Sequence, residues 1–212
     1  MKEFKAAIFD LDGTIVDSNF VWENIDRKIL KNHGISLSDE DIIEMTAMSY
    51  EDCIDKMQSL GIPESHDELR KQLDDTAIYE YRNNIFLKEY VKEYFDYLKA
   101  KGIYIALATG SPERLYEPVL RHNSIYGYFD ALCCTDEAGR DKDYPDVYLL
   151  CASKIGVAPE DCIVFEDLLK GVVSARNAGM QTVGVYDKFS EKDIFSIKTI
   201  CDKYIYTFAE MM

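Results

Sequence analysis

From Val91 onward the chain alternates apolar stripes at helical spacing with short, unbroken apolar runs, an order that few folds accommodate. Val91, Tyr94, Phe95 and Leu98 form the first stripe, Gly102 ends it, and residues 103–108 follow as an apolar run. The same reading predicts helices over 112–121, 145–155 and about 171–178, the last two closed by Gly156 and Gly179. Strands are expected over 129–133, 162–165 and 182–186, with a short one over 204–206. Strands that are apolar at successive positions lose water from both faces, as they do in a parallel sheet between helix layers. Residues 6–9, AAIF, are a run of the same kind and join that sheet. The expected class is α/β, a Rossmann-like parallel sheet covered by helices.

Between this first strand and the later series no strand pattern occurs. Asp17 or Ser18 can cap a helix reaching about His33, with Trp22, Ile25 and Ile29 at helical spacing and Gly34 closing it. Further helices are expected over 38–45, over 50–60 before Gly61 and Pro63, and over 66–82. The chain therefore divides into a core domain, 1–17 with 86–212, and an all-helical domain, 18–85, inserted after the first strand.

Composition narrows the partners. A formal charge of −15 and a pI near 4.6 argue against nucleic acid and anionic membrane surfaces. An anionic substrate would then need a local cation, either a bound metal or a well-placed Lys. No apolar run reaches transmembrane length, and the opening MKEFKAAIFD meets an Asp before any signal-peptide core is complete. A soluble, cytoplasmic protein is expected, with a monomer as the default. The six cysteines form no CxxC pair and meet no His at zinc spacing, so they are expected as reduced thiols. The three His lie in polar helix-end or loop sequence, a poor setting for a His-based triad.

In open parallel sheets, ligands gather beyond the carboxyl ends of the strands. The polar residues right after each apolar run are Asp10 and Asp12 in IFDLDGT, then Thr109, Gly110 and Ser111, then Glu166 and Asp167. Each set has a plain reading and a chemical one. Asp10 and Asp12 suit a turn, or they are paired acids that need a cation or a proton between them. In TGSP, Ser111 as N-cap with Pro112 as first helical residue makes an ordinary turn or an anion site built on free amides. Glu166 and Asp167 form a solvated turn, or they supply hard oxygen ligands for Mg²⁺. Lys142, flanked by Asp141 and Asp143, is a surface charge, or a cation on the rim able to pair with Asp10 or Asp167.

Taken together and in order, Asp10-Leu11-Asp12-Gly13-Thr14, Thr109-Gly110-Ser111, Lys142, and Glu166-Asp167 followed by Gly171 resemble the four motifs of the haloacid dehalogenase (HAD) superfamily. The helical stretch 18–85 resembles the cap domain of its phosphatase and β-phosphoglucomutase-like branch. The resemblance implies a HAD core with an inserted cap and a Mg²⁺-dependent phosphatase acting on a small phosphorylated metabolite. It implies Asp10 as the nucleophile that becomes an aspartyl-phosphate and Asp12 as the general acid/base. It implies Mg²⁺ held by Asp10, the Asp12 backbone carbonyl and Asp167, with Glu166 close or water-bridged. Thr109, Gly110, Ser111 and Lys142 would bind the phosphoryl group.

The chain departs from that pattern at three places. Asp143 follows Lys142 where the family usually has Pro, and Leu87-Lys88-Glu89 stands where a Pro-Gly often leads back from the cap. Trp22 occupies the position of the mutases' His, ten residues past the second Asp, which argues against a phosphomutase. A phospho-ligand sensor that kept the fold is the non-enzymatic alternative. Substrate selection is expected from cap residues, with Trp22, Tyr50 and Arg82 as the candidates.

Overall fold

A computed structural model of the chain describes residues 2–46, 48 and 50–212, without the side chains at 19, 46 and 50. It divides into two compact units, Met1–Asp17 with Ile85–Met212, and Ser18–Asn84. The second unit is helical: α1 (Asn19–Asn32), α2 (Asp39–Thr46), α3 (Tyr50–Ser59) and α4 (His66–Asn83). Ser65 and Glu68 start α4 with reciprocal bonds, Glu68 N–H to Ser65 Oγ at 3.3 Å and Ser65 N–H to Glu68 Oε2 at 2.9 Å. Leu69, Leu73, Ala77 and Tyr81 then recur every fourth residue as the buried face of α4.

The first unit is the α/β layer structure. Its strands are β1 (Ala6–Phe9), β2 (Tyr104–Thr109), β3 (Ala131–Cys134), β4 (Cys162–Glu166), β5 (Gln181–Val185) and β6 (Lys203–Ile205), all pairing in parallel in the order β3-β2-β1-β4-β5-β6. The helices are α5 (Val91–Ala100), α6 (Glu113–His122), α7 (Thr135–Ala138), α8 (Asp146–Ile155), α9 (Leu169–Asn177) and α10 (Ile194–Ile200). The strand expected over 129–133 starts two residues later, because residues 126–128 form a 3-10 turn and Phe129 packs edge-on against Phe95 at 5.5 Å. Helix α7, which ends at the left-handed Gly139 (φ 80°), has no counterpart in the sequence reading.

Side-chain alternation decides what each sheet face sees. On one face Ala6, Ile8, Ala106, Ala108, Cys162 and Val164 pack with Tyr148, Cys151 and Ala152 of α8. On the other, Phe9 stacks on Phe165 at 4.6 Å, and Phe95 and Phe208 close around the pair at 4.9 and 6.1 Å from Phe9. Each such fully buried aromatic contributes about 1.5–3 kcal/mol through area alone. Continuing the same period one step past Ile8 and Val164 puts Asp10 and Glu166 on the α8 face. That step builds the site.

At the exit and return of the chain, residues 15–17 run antiparallel to 86–88. Asp17 N–H donates to the Phe86 carbonyl at 3.1 Å and Lys88 N–H to the Ile15 carbonyl at 3.0 Å. Where a Pro-Gly is missing, Asn123 braces the return: its Oδ1 accepts from Leu87 N–H at 3.2 Å and its Nδ2 donates to the Ile85 carbonyl at 3.0 Å. Tyr90 takes the left-handed conformation (φ 64°) that starts α5. Among the described residues no helix is long and apolar enough to cross a membrane.

Candidate active site

Asp10 sits one residue past β1, its N–H still bonded to the Phe165 carbonyl at 3.0 Å. The chain then coils tightly: the Leu11 carbonyl accepts from the amides of Thr14, Ile15 and Val16 at 3.3, 3.1 and 3.1 Å, and Gly13 supplies the positive φ of 80° that the turn needs. The turn leaves Asp10 buried and Asp12 half-buried. Burial pushes the Asp10 carboxyl up to about 6, against the opposite pull of the Lys142 ammonium.

Lys142 is not a surface charge. It is buried, and its Nζ donates to Asp10 Oδ1 and to Glu166 Oε1, the latter at 2.6 Å. Asp10 is one of the two partners expected for it, and Glu166 is a further one. The Asp141 side chain accepts the Asp143 N–H at 3.1 Å and so turns the loop where the family has Pro. Asp10, Glu166 and Asp167 each bring a ligand oxygen within 4.8 Å of the other two, all three buried. Thr14 Oγ1 donates to Asp167 Oδ1 at 3.3 Å. Burial and the neighbouring Asp10 charge hold the Asp167 carboxyl well above the usual carboxylate range.

Across the crevice, Thr109 ends β2 and is fully buried, and its Oγ1 accepts Ser111 N–H at 2.9 Å, leaving the hydroxyl proton free to face an anion. A Cβ built on Gly110 meets nothing within 4 Å, so its backbone borders open space. Ser111 is not the N-cap of α6. Pro112 takes that position with an extended ψ of 161°, which turns Ser111 inward. Its Oγ donates to Asp12 Oδ2 at 2.7 Å, so the hydroxyl holds a carboxylate.

Within the helical unit, Trp22 is half-buried and its indole N–H donates to the Tyr81 hydroxyl at 3.2 Å. Arg82 is exposed in the last turn of α4, and the side chain of Tyr50 lies outside the described residues. Two features escaped the sequence reading. Tyr148, buried on α8, donates to Glu166 Oε1 at 2.7 Å; a tyrosine on the apolar stripe of a predicted helix was the available signal. Lys88, on the return segment, pairs with buried Asp187 at 2.8 Å and donates to the Tyr186 carbonyl at 2.7 Å, beyond β5.

A family model described as haloacid dehalogenase-like hydrolase matches residues 4–179. The phosphorylated carbohydrates phosphatase of Thermotoga maritima is 31% identical over 186 residues, covering 84% of this chain and 83% of that protein. The fructose-1-phosphate phosphatase YqaB of Escherichia coli is 29% identical over 188 residues, 87% of this chain and 97% of its own. In structure, the β-phosphoglucomutase of Clostridium difficile superposes with a TM-score of 0.77 at 20% identity, covering 99% of this chain and 93% of that one, a likeness of fold.

Proposed function

The chain belongs to the haloacid dehalogenase-like hydrolase family, and on that footing we propose that it is a Mg²⁺-dependent phosphatase of a small phosphorylated sugar, working through an aspartyl-phosphate. The observation that carries this reading is the buried Lys142 ammonium bonded to Asp10 at the end of β1. An acid held there, beside a cation and facing the Thr109-Gly110 turn, is placed to attack a phosphoryl group whose oxygens the turn and the Lys can bind.

In the proposed reaction an Asp10 carboxylate oxygen forms a bond to phosphorus while the bond from phosphorus to the leaving alcohol oxygen breaks. Asp12 gives that oxygen its proton, then takes one from the water whose oxygen attacks the aspartyl-phosphate and releases inorganic phosphate. The Ser111 hydroxyl on Asp12 Oδ2 keeps this carboxyl oriented for both transfers.

The residues fit a divalent cation. Asp10, Glu166 and Asp167 bury three carboxylates with the Lys142 ammonium bonded to two of them, a site rich in negative charge that a hard dication offsets. Asp10, Asp167 and the Asp12 carbonyl would hold it, with Glu166 in close support. Bound Mg²⁺ supplies charge neutralisation that lets an anionic nucleophile meet an anionic phosphate.

Sugar phosphates are favoured because two relatives carry that substrate class in their names. The test is a phosphate-release panel of hexose and hexitol phosphates, phosphoglycolate and nucleoside monophosphates. Mg²⁺-stimulated release with free sugar as product, strongest on the sugar phosphates and abolished by chelation, is expected. An isomerised sugar phosphate without free phosphate would move the reading to a mutase, and no release from any compound would defeat it.

The acid cluster also ties metal binding to pH. Asp10 has a folded pKa of about 6 against an ordinary 3.8, so between these values the folded state holds a proton that the unfolded chain releases. Metal-free stability therefore falls as pH rises through that window. Mg²⁺ competes with that proton, so at a hundredfold excess over Kd it is expected to stabilise the fold little near about pH 5 and by about 3 kcal/mol near about pH 7.5, read as a rise in melting temperature. Equal Mg²⁺ increments at the two pH values, measured against EDTA controls, would contradict this.

A further inference from the structure

Glu166 is bonded on every side by this chain's own groups. Its Oε1 receives the Lys142 ammonium at 2.6 Å and the Tyr148 hydroxyl at 2.7 Å, and its Oε2 receives the Leu168 N–H at 3.4 Å. Behind it stands Gly171 of α9, where a Cβ would lie 2.4 Å from the Glu166 Cδ. No other residue type fits there with Glu166 in place. The carboxylate is therefore seated in a closed slot made by α9, the start of the Glu166–Leu168 turn and α8.

We propose that Tyr148 is a positioning residue, whose hydroxyl reserves Glu166 Oε1 for Lys142 and so fixes the Lys142 ammonium against Asp10 and the phosphoryl oxygens. This rests on the phosphatase reading and deepens it. Glu166 then serves the lysine, and the metal falls to Asp10 and Asp167. Geometry supports the division of labour. Tyr148 is fully buried, so bulk solvent does not compete for its hydroxyl. Its ring centroid lies 5.8 Å from Lys142 Nζ, so the aromatic face also borders the ammonium. Without the hydroxyl donor Glu166 is free to turn its oxygens from Lys142 to a cation held by Asp10 and Asp167, and Lys142 loses its seat.

The test is Tyr148→Phe, which deletes one oxygen and keeps the ring in its core cluster. Expected are a melting temperature lower by a few degrees, a kcat lower by about tenfold, and a several-fold weaker binding of inorganic phosphate by calorimetry with Mg²⁺ present, while Mg²⁺ affinity holds at the wild-type value. Gly171→Ala, which pushes on the same carboxylate from behind, should reproduce the loss of phosphate affinity. Wild-type phosphate affinity in Tyr148→Phe would overturn the proposal, and so would a loss that follows weakened Mg²⁺ binding, since Glu166 would then be serving the metal. If the wild-type protein hydrolyses no phosphomonoester, the phosphatase reading fails, while the calorimetric comparison still decides this inference.

Discussion

Asp10→Asn is expected to lower kcat by on the order of 10³–10⁵-fold while the protein stays folded. The amide has the carboxylate's shape but neither its charge nor its ability to form an acyl phosphate. The replacement removes one partner of Lys142 and leaves the other, Glu166 at 2.6 Å, so the buried ammonium keeps a counter-charge. Burial already works against the Asp10 carboxylate, which is why its pKa stands near 6. A neutral group there is therefore tolerated, and the metal-free melting temperature should hold within a few degrees. Metal binding weakens because one of the three clustered acids is gone. Steady-state phosphate release together with circular dichroism separates the effects. Turnover within about tenfold of wild type would remove Asp10 from the role of nucleophile.

Lys142→Met carries the second large effect, in stability as much as in rate. Methionine keeps most of the side-chain volume, so the change is one of charge. Asp10 and Glu166 would face each other in a buried site with their shared cation gone. Removing one partner of such a buried pair costs roughly 3–5 kcal/mol, equivalent to a fall of roughly 10 °C in melting temperature for a chain of this size. The loss should be full near about pH 7.5 and shrink toward about pH 5, because the two acids can then neutralise themselves by taking up protons. Added Mg²⁺ should restore part of the stability and little of the activity, since the phosphoryl oxygens still lack the ammonium. Thermal melts at the two pH values, with and without Mg²⁺, read this directly. A neutral-pH melting temperature equal to that of wild type would mean that Lys142 does not balance the cluster.

Much of this site is visible in the linear chain because strands and their ends are local facts. AAIF and CIVF are apolar at every position, and a run of that kind belongs in a covered parallel sheet, with polar residues collecting where it stops. Asp10, Thr109 and Asp167 could be nominated from that rule before any coordinates. Ser111 shows the limit. Its neighbour Pro112 suits either the N-cap or the first helical position, and the choice between them turns the hydroxyl to the helix or to Asp12, 99 residues away.

Burial pattern, turn chemistry and charge are properties of short segments, so the class of sheet, the inserted helical stretch and the acids at the strand ends can be read along the chain. Which group meets which is a matter of packing: Tyr148 and Gly171 on Glu166, Ser111 on Asp12, Lys88 on Asp187, Asn123 across the returning chain. Those partners depend on strand order and on which face of the sheet each helix covers. Placing β1 between β2 and β4 brings Asp10 beside Glu166, and laying α8 on that face brings Tyr148 to Glu166 and the loop before it brings Lys142 to both acids. Segments far apart in sequence meet there because a sheet assembles by register and packing, which no single segment encodes.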